Sequence, residues 1–233
     1  MRLRFRFSKL GKVRWTSHRD VARMWERAFR RVELRLAYTQ GFSPRPRVSF
    51  GLALPTGAES VAEYLDVEVA EGATADVAAL PSRLGAALPV GVDVLAAAPV
   101  DPAAGSLQEV VTSCTWVVET AGLAPGRLAA AVEAALAAPA LVIPRERKGR
   151  RSDQDVRPGI LACAVDGTTL VAELAAQPRA LRPSELLVAV GGGLRPVGVR
   201  RTSQWIERDG AREEPLPLPP GATHAPHVIG RAS

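Results

Sequence analysis

Hydrophobic periodicity along this chain switches from two residues to about 3.6 and back, in the same order twice, and that repeat limits what it can fold into. At the N terminus Leu3, Phe5 and Phe7 alternate with Arg2, Arg4 and Arg6, which predicts a strand with one apolar and one cationic face. Gly11-Lys12 gives a turn and Val13 to Trp15 an extended stretch. Ser17 then stands as a helix cap, with Asp20 three residues later in the place of a capping-box Glu. Val21, Met24, Trp25, Ala28, Phe29 and Val32 follow at helical spacing, so residues 18–31 read as an amphipathic helix. Its other face carries Arg19, Arg23, Arg27 and Arg30. Leu34, Leu36 and Tyr38 suggest a short strand, and Gln40 to Pro46 a loop of restricted shape. Strands over Val48–Leu54 and Glu63–Val69, a helix near 74–87 with Pro81 near its start, and a strand near 92–98 complete the half.

Pro99 to Gly105 reads as a linker, and beyond it the pattern recurs. A strand over Val110–Glu119, an Ala-rich helix at 125–138, a strand over Leu141–Arg145 and a basic loop come first. Strands near 159–165 and 168–175 follow, then a helix at 183–190 ended by Gly191-Gly192-Gly193, and a last strand near 197–206. Each half thus reads approximately as strand–helix–strand–strand–helix–strand, with room for one extra strand in the first. The expected fold is α+β: two tandem ferredoxin-like modules, at 1–99 and 106–207. Pro, Gly and small residues dominate 208–233, which reads as a disordered tail.

Charge is distributed unevenly. Residues 1–50 carry 14 Lys/Arg against three acids (Asp20, Glu26 and Glu33), a net of +11, whereas the remaining residues carry 16 basic and 21 acidic groups. A localised excess of this kind points to a polyanionic partner, of which nucleic acid is the commonest. Cys114 and Cys163 lie far apart without a Cys-x-x-Cys partner, so they read as buried free thiols and not as metal ligands. No Cys-x3-Cys-x2-Cys cluster motif, Walker loop, Gly-x-Ser-x-Gly elbow or His-Glu-x-x-His pair occurs, and the triple glycine lacks the Gly-x-Gly-x-x-Gly frame. Charged residues interrupt the first twenty positions, and no apolar run has membrane-spanning length. A cytoplasmic location and no membrane partner are therefore expected.

Three groups of residues could carry function. Lys9, Lys12, Arg14, Ser17, His18 and Arg19 converge with Asp20 on a helix start, whose amides and dipole favour a phosphate. His18 is the only histidine outside the C-terminal segment; it is a candidate base if Asp20 orients it, and otherwise a neighbour of a helix cap. Tyr38, Gln40, Phe42, Arg45 and Arg47 combine aromatic rings with guanidinium groups, which suits unpaired bases and their phosphates. The same rings could instead pin the loop to the core. Arg145, Arg147, Lys148, Arg150 and Arg151, running on to Asp153, Asp155 and Arg157, form either an extension of the binding surface or a solvated hairpin.

Several of these positions fall in an ordered set of motifs. Phe7-x-Lys9-x-Gly11, Ser17-His18-x-Asp20, Tyr38-x-Gln40-Gly41-Phe42-Ser43-Pro44-x-Pro46, Ser49-Phe50, Leu54-Pro55-x-Gly57 and Glu63-x-x-Asp66 resemble those of the bacterial radical-SAM-linked (radical-SAM-associated) protein family, a domain of unknown function. The likeness extends over most of residues 1–206, and Asp155-Val156-Arg157-Pro158 is similar to the family's second-module motif. Arg19 stands where the family usually has an apolar residue, and Arg45 where a small polar residue or His is common. That family's domain occurs alone or behind a cobalamin-type radical-SAM protein. The resemblance therefore implies a radical-SAM partner using S-adenosylmethionine, an iron–sulfur cluster and cobalamin, with no cofactor bound by this chain. The expected function is an accessory protein that binds tRNA or rRNA through its basic N-terminal face during RNA modification and is not catalytic alone. The alternatives are an endoribonuclease or RNA-modifying enzyme using His18, and a protein-interaction module that docks a radical-SAM enzyme.

Overall fold

A computed structural model describes residues 1–219 apart from Pro102, Lys148 and Asp209, with the backbone alone at Arg147 and Arg150. Its elements in chain order are β1 (Arg2–Lys9), α1 (His18–Arg31), β2 (Val48–Phe50), β3 (Glu59–Glu68), α2 (Leu80–Ala87), β4 (Val94–Val100) and α3 (Leu107–Val110). There follow β5 (Val111–Ala121), α4 (Pro125–Ala137), β6 (Val142–Arg147), β7 (Arg150–Asp155), β8 (Ile160–Asp166), β9 (Thr169–Ala175), α5 (Pro183–Val190), β10 (Arg195–Arg208) and β11 (Ala211–Glu213). The architecture is α+β, with mostly antiparallel sheet and helices packed on it. The described residues form two compact units: Met1–Val111 with those from Ile206 to 219, and Thr112–Trp205.

In the first unit β1 lies between β4 and β3, and β2 pairs with β3 in turn, all antiparallel. Pairing Leu3 with Val67 and Phe5 with Leu65 puts the apolar residues of both strands on one face. There they meet α1, where Phe5, Phe7, Trp25 and Phe29 pack with ring centroids 5.0–5.9 Å apart. The helix starts as the capping pattern predicts: the Ser17 hydroxyl oxygen accepts the Asp20 N–H at 3.2 Å. Val13–Trp15, expected to be extended, lies in a 3-10 turn at Gly11–Trp15, closed by the Thr16 N–H and hydroxyl on the Val13 carbonyl. The expected strand at 34–38 is reduced to single bridges, Leu36 with Val69 and Tyr38 with Pro46. The helix expected at 74–87 begins at Leu80 because Pro81 occupies its first turn.

The second face of β1 corrects the reading of a cationic strand surface. Alternation holds, but both faces are interior: Arg4 is 3% and Arg6 0% exposed. Arg4 grips Asp66 with two bonds, Nε to Oδ1 at 2.8 Å and Nη2 to Oδ2 at 2.9 Å, and Arg2 adds a third at 2.6 Å. Arg6 donates to Glu214 at 2.5 Å and lies over the Tyr64 ring. Charges this deep are retained only when paired, so the face is built around its carboxylates. Glu214 arrives from the segment read as a disordered tail. Ala211–Glu213 pairs with Ile206–Arg208 as β11, and Pro215 and Leu216 accept bonds from Arg4 and Arg6. The remainder of the predicted tail, 220–233, lies outside the described residues.

The second unit orders its sheet β10–β5–β9–β8. Pairing Cys114 with Leu174, Trp116 with Ala172 and Val118 with Leu170 makes one apolar layer, and α4 and α5 contribute buried Leu128, Val132, Leu186 and Leu187. Both cysteines are free; burial pushes the Cys163 thiol up to about 11. The expected basic loop is a β-hairpin, β6 with β7, turned at Gly149 with φ +74°. Asp155 and Arg157 have structural work there. Asp155 accepts the Leu141 N–H at 2.8 Å and the Arg157 N–H at 3.0 Å. Arg157 donates Nε and Nη2 to the Leu136 carbonyl, in the last turn of α4.

Two outcomes follow from this wiring. Asp66→Ala leaves Arg4 buried without a counter-charge and is expected to cost about 3–5 kcal/mol, measured by urea denaturation. The hydrogen bonds from Leu141 and then Arg157 hold the Asp155 carboxyl below its ordinary value. Its stabilisation is therefore present above the ordinary carboxylate value and lost as pH falls through the depressed one. In Asp155→Asn the fall of the urea midpoint below about pH 4 should be shallower than in the wild type.

Candidate nucleic-acid interface

Of the fourteen basic residues in the first fifty, three are buried: Arg4, Arg6 and Lys9. Arg2 and Arg14 are half-buried, beside Asp66 and Glu59 respectively, and exposed Arg47 sits 2.9 Å from Glu68. The others, Lys12, Arg19, Arg23, Arg27, Arg30, Arg31, Arg35 and Arg45, are exposed. Arg19, Arg23, Arg27 and Arg30 recur along the outer face of α1, as their spacing predicts. Only Arg23 among these four has a carboxylate nearby among the described residues, Asp20 at 3.7 Å.

The helix start is arranged differently from the expected phosphate cradle. Lys9 is 4% exposed, and its ammonium donates to the carbonyls of Thr16 at 3.0 Å and Arg14 at 3.4 Å. Burial lowers its pKa, opposed by the nearby Glu63 carboxylate. Lys9 therefore holds the 3-10 turn from within, and that turn presents Trp15. This indole is 64% exposed, whereas Trp25, Trp116 and Trp205 are buried. The Arg14 guanidinium lies 5.4 Å from the indole centroid. Gly57 backs the ring: a Cβ there would come within 2.8 Å of it. Trp15 was not among the residues singled out from sequence. Its position outside the helical apolar set, between Arg14 and Thr16, was the available signal.

His18 is exposed and meets Phe50 edge to face at 5.0 Å. The Asp20 carboxylate accepts the Ser17 hydroxyl at 2.7 Å and faces Arg23, so it does not orient His18 among the described residues. His18, Lys9, Phe50, Leu54 and Glu63 line one cleft with room for about one water, roughly 20 Å³. The dispersed motif positions thus come together, in a space too small for a nucleotide.

Tyr38 is half exposed and Phe42 fully exposed, so neither ring pins its loop to the core. The loop is closed instead by the backbone: Thr39 N–H donates to the Arg45 carbonyl at 2.9 Å, and Arg45 N–H to the Thr39 hydroxyl at 3.0 Å. Gln40, Phe42 and Arg45 project from it into solvent. In the second unit Arg145 donates to Gln154 at 3.1 Å along the hairpin, and exposed Arg151 lies 3.8 Å from Glu146. Lys148 and the side chains of Arg147 and Arg150 lie outside the described residues.

Residues 2–186 match a family described as uncharacterised proteins conserved in bacteria, DUF2344. The chain belongs to that family. The match takes in all three groups of candidate residues. No curated protein matches the chain. Among the described residues no three His, Cys, Asp or Glu side chains gather as a metal site, and no helix is long and apolar enough to cross a membrane.

The exposure pattern has a spectroscopic consequence. One tryptophan component should be readily quenched by acrylamide, and Trp15→Phe should remove that component while leaving the protected emission. Gly57→Ala, at φ +88°, should shift the same component because the indole must move.

Proposed function

We propose that this DUF2344 member is an RNA-binding accessory protein of bacterial RNA modification, acting in the cytoplasm on tRNA or rRNA. One observation carries the reading: Trp15, Tyr38 and Phe42 expose their rings on the unit whose first fifty residues also expose nine cations. Apolar rings left in water beside guanidinium groups suit stacked, unpaired bases and the phosphates joining them. The cations counted here exclude Lys9, Arg4 and Arg6, which serve the fold.

Two finer assignments go with this reading. Each unit is proposed to be a ferredoxin-like module, supported by the sheet orders β4–β1–β3–β2 and β10–β5–β9–β8 with two helices between strands in each. The chemistry is assigned to a radical-SAM partner carrying S-adenosylmethionine, an iron–sulfur cluster and cobalamin, as the motif resemblance implies. Catalysis by His18 is the weaker alternative, because the carboxylate that would orient it serves Ser17 and Arg23.

Binding of single-stranded RNA should weaken steeply with salt. Changing Arg19, Arg23 and Arg27 together to Ala should lower the log–log salt slope by about two, and similarly for different sequences. Salt-insensitive binding, or no binding to any RNA while a radical-SAM protein co-purifies from RNase-treated lysate, would replace this reading with that of a protein-docking module.

A further inference from the structure

A groove of about 850 Å³ opens on the first unit, between the C-terminal half of α1 and the extended segment that follows it. Its floor is apolar, formed by buried Phe29, Leu34 and Leu36. Tyr38 stands at one side with 52% of its surface exposed, held by its bridge to Pro46. Four charged side chains rim the floor: Glu26, Arg30, Glu33 and Arg35. Among the described residues none of the four belongs to an ion pair. The backbone beneath them is fixed, Ala37 N–H donating to the Glu68 carbonyl at 2.8 Å and Ala70 N–H to the Arg35 carbonyl at 2.9 Å.

A second observation concerns Glu33. It follows the cap of α1 with φ +58°, the left-handed region, and is the one non-glycine residue there among the described residues. Glycine or asparagine is the usual occupant of that helix-end position, because a β-carbon is strained there. A glutamate kept against the backbone preference, with its carboxylate at the rim of a groove, points to a use for the carboxylate.

The chemistry required of an occupant is specific. It must offer a flat apolar face to Tyr38 and the floor, an anion to Arg30 and Arg35, and a donor to Glu33. An acyl chain would bring no donor, and a simple anion would leave the floor wet. A nucleotide meets all three demands, and the volume suits one. We propose that this groove takes a single unpaired nucleotide of an RNA. The base lies against Tyr38, the phosphate is held by Arg30 and Arg35, and Glu33 accepts from a base amino group or the ribose 2′-hydroxyl. This rests on the RNA-binding reading above and narrows its substrate to RNA with an extruded base.

The test uses the full chain and three forms of one RNA hairpin: with a single unpaired 2-aminopurine, with an abasic residue in its place, and fully paired. The wild type should quench the 2-aminopurine emission and bind the bulged hairpin roughly tenfold more tightly than the other two. Tyr38→Leu should bind the paired hairpin as the wild type does and lose the quenching. Glu33→Gly suits the backbone, so it should melt no lower than the wild type while losing the preference for the bulge. Equal binding of all three hairpins by the wild type overturns the groove assignment and leaves RNA binding standing. Unchanged quenching in Tyr38→Leu overturns it as well. Binding to none of the three sinks both readings.

Discussion

The buried pair of Arg4 and Asp66 governs the first unit. β1 is a central strand, so every side chain after half-buried Arg2 is buried, those of Arg4 and Arg6 included. Asp66 answers Arg2 and Arg4 at once, and Arg4 binds it bidentately across the β1–β3 pair. In a medium of low dielectric such a pair tolerates little misplacement. A shift of β3 by one residue would carry Asp66 to the other face. The ion pair and the apolar contacts of Leu3, Phe5, Leu65 and Val67 therefore specify the same register from opposite sides of the sheet. That register positions α1, and α1 carries five of the nine exposed cations of the first fifty residues.

Much of this architecture could be read from periodicity. α1 and α5 occupy the residues their apolar spacing and caps indicate, and the strand–helix order holds in the first unit, whereas the second has four strands between its helices. What sequence could not reveal is which side of a strand meets water. Arg2, Arg4 and Arg6 look the same whether they face solvent or Asp66 and Glu214, because the partners lie 62 and 208 residues away for Arg4 and Arg6. The hairpin β6–β7 was hidden for a related reason: its strands are charged, so they lack the alternation that marks a half-buried strand.

The candidate site was legible in outline and misjudged in detail. Motif residues turned out to do much of the scaffolding. Lys9 braces a turn, Asp66 neutralises arginines, Gly57 makes room for an indole, and Asp155 and Arg157 tie a hairpin to the end of α4. Lys9 and Gly57 support Trp15, which is exposed as the outer arginines of α1 are. Phe42 and Tyr38 are exposed because a Pro- and Gly-rich loop seldom buries its aromatic rings completely.

The ion pair between Arg6 and Glu214 also bears on how the chain is made. Arg6 is synthesised before the second unit, and Glu214 follows only after the whole of that unit has been made. Until then a guanidinium destined for the interior has no counter-ion, and the face of β1 that bears it stays hydrated. The first unit therefore cannot form this pair until the second has been synthesised.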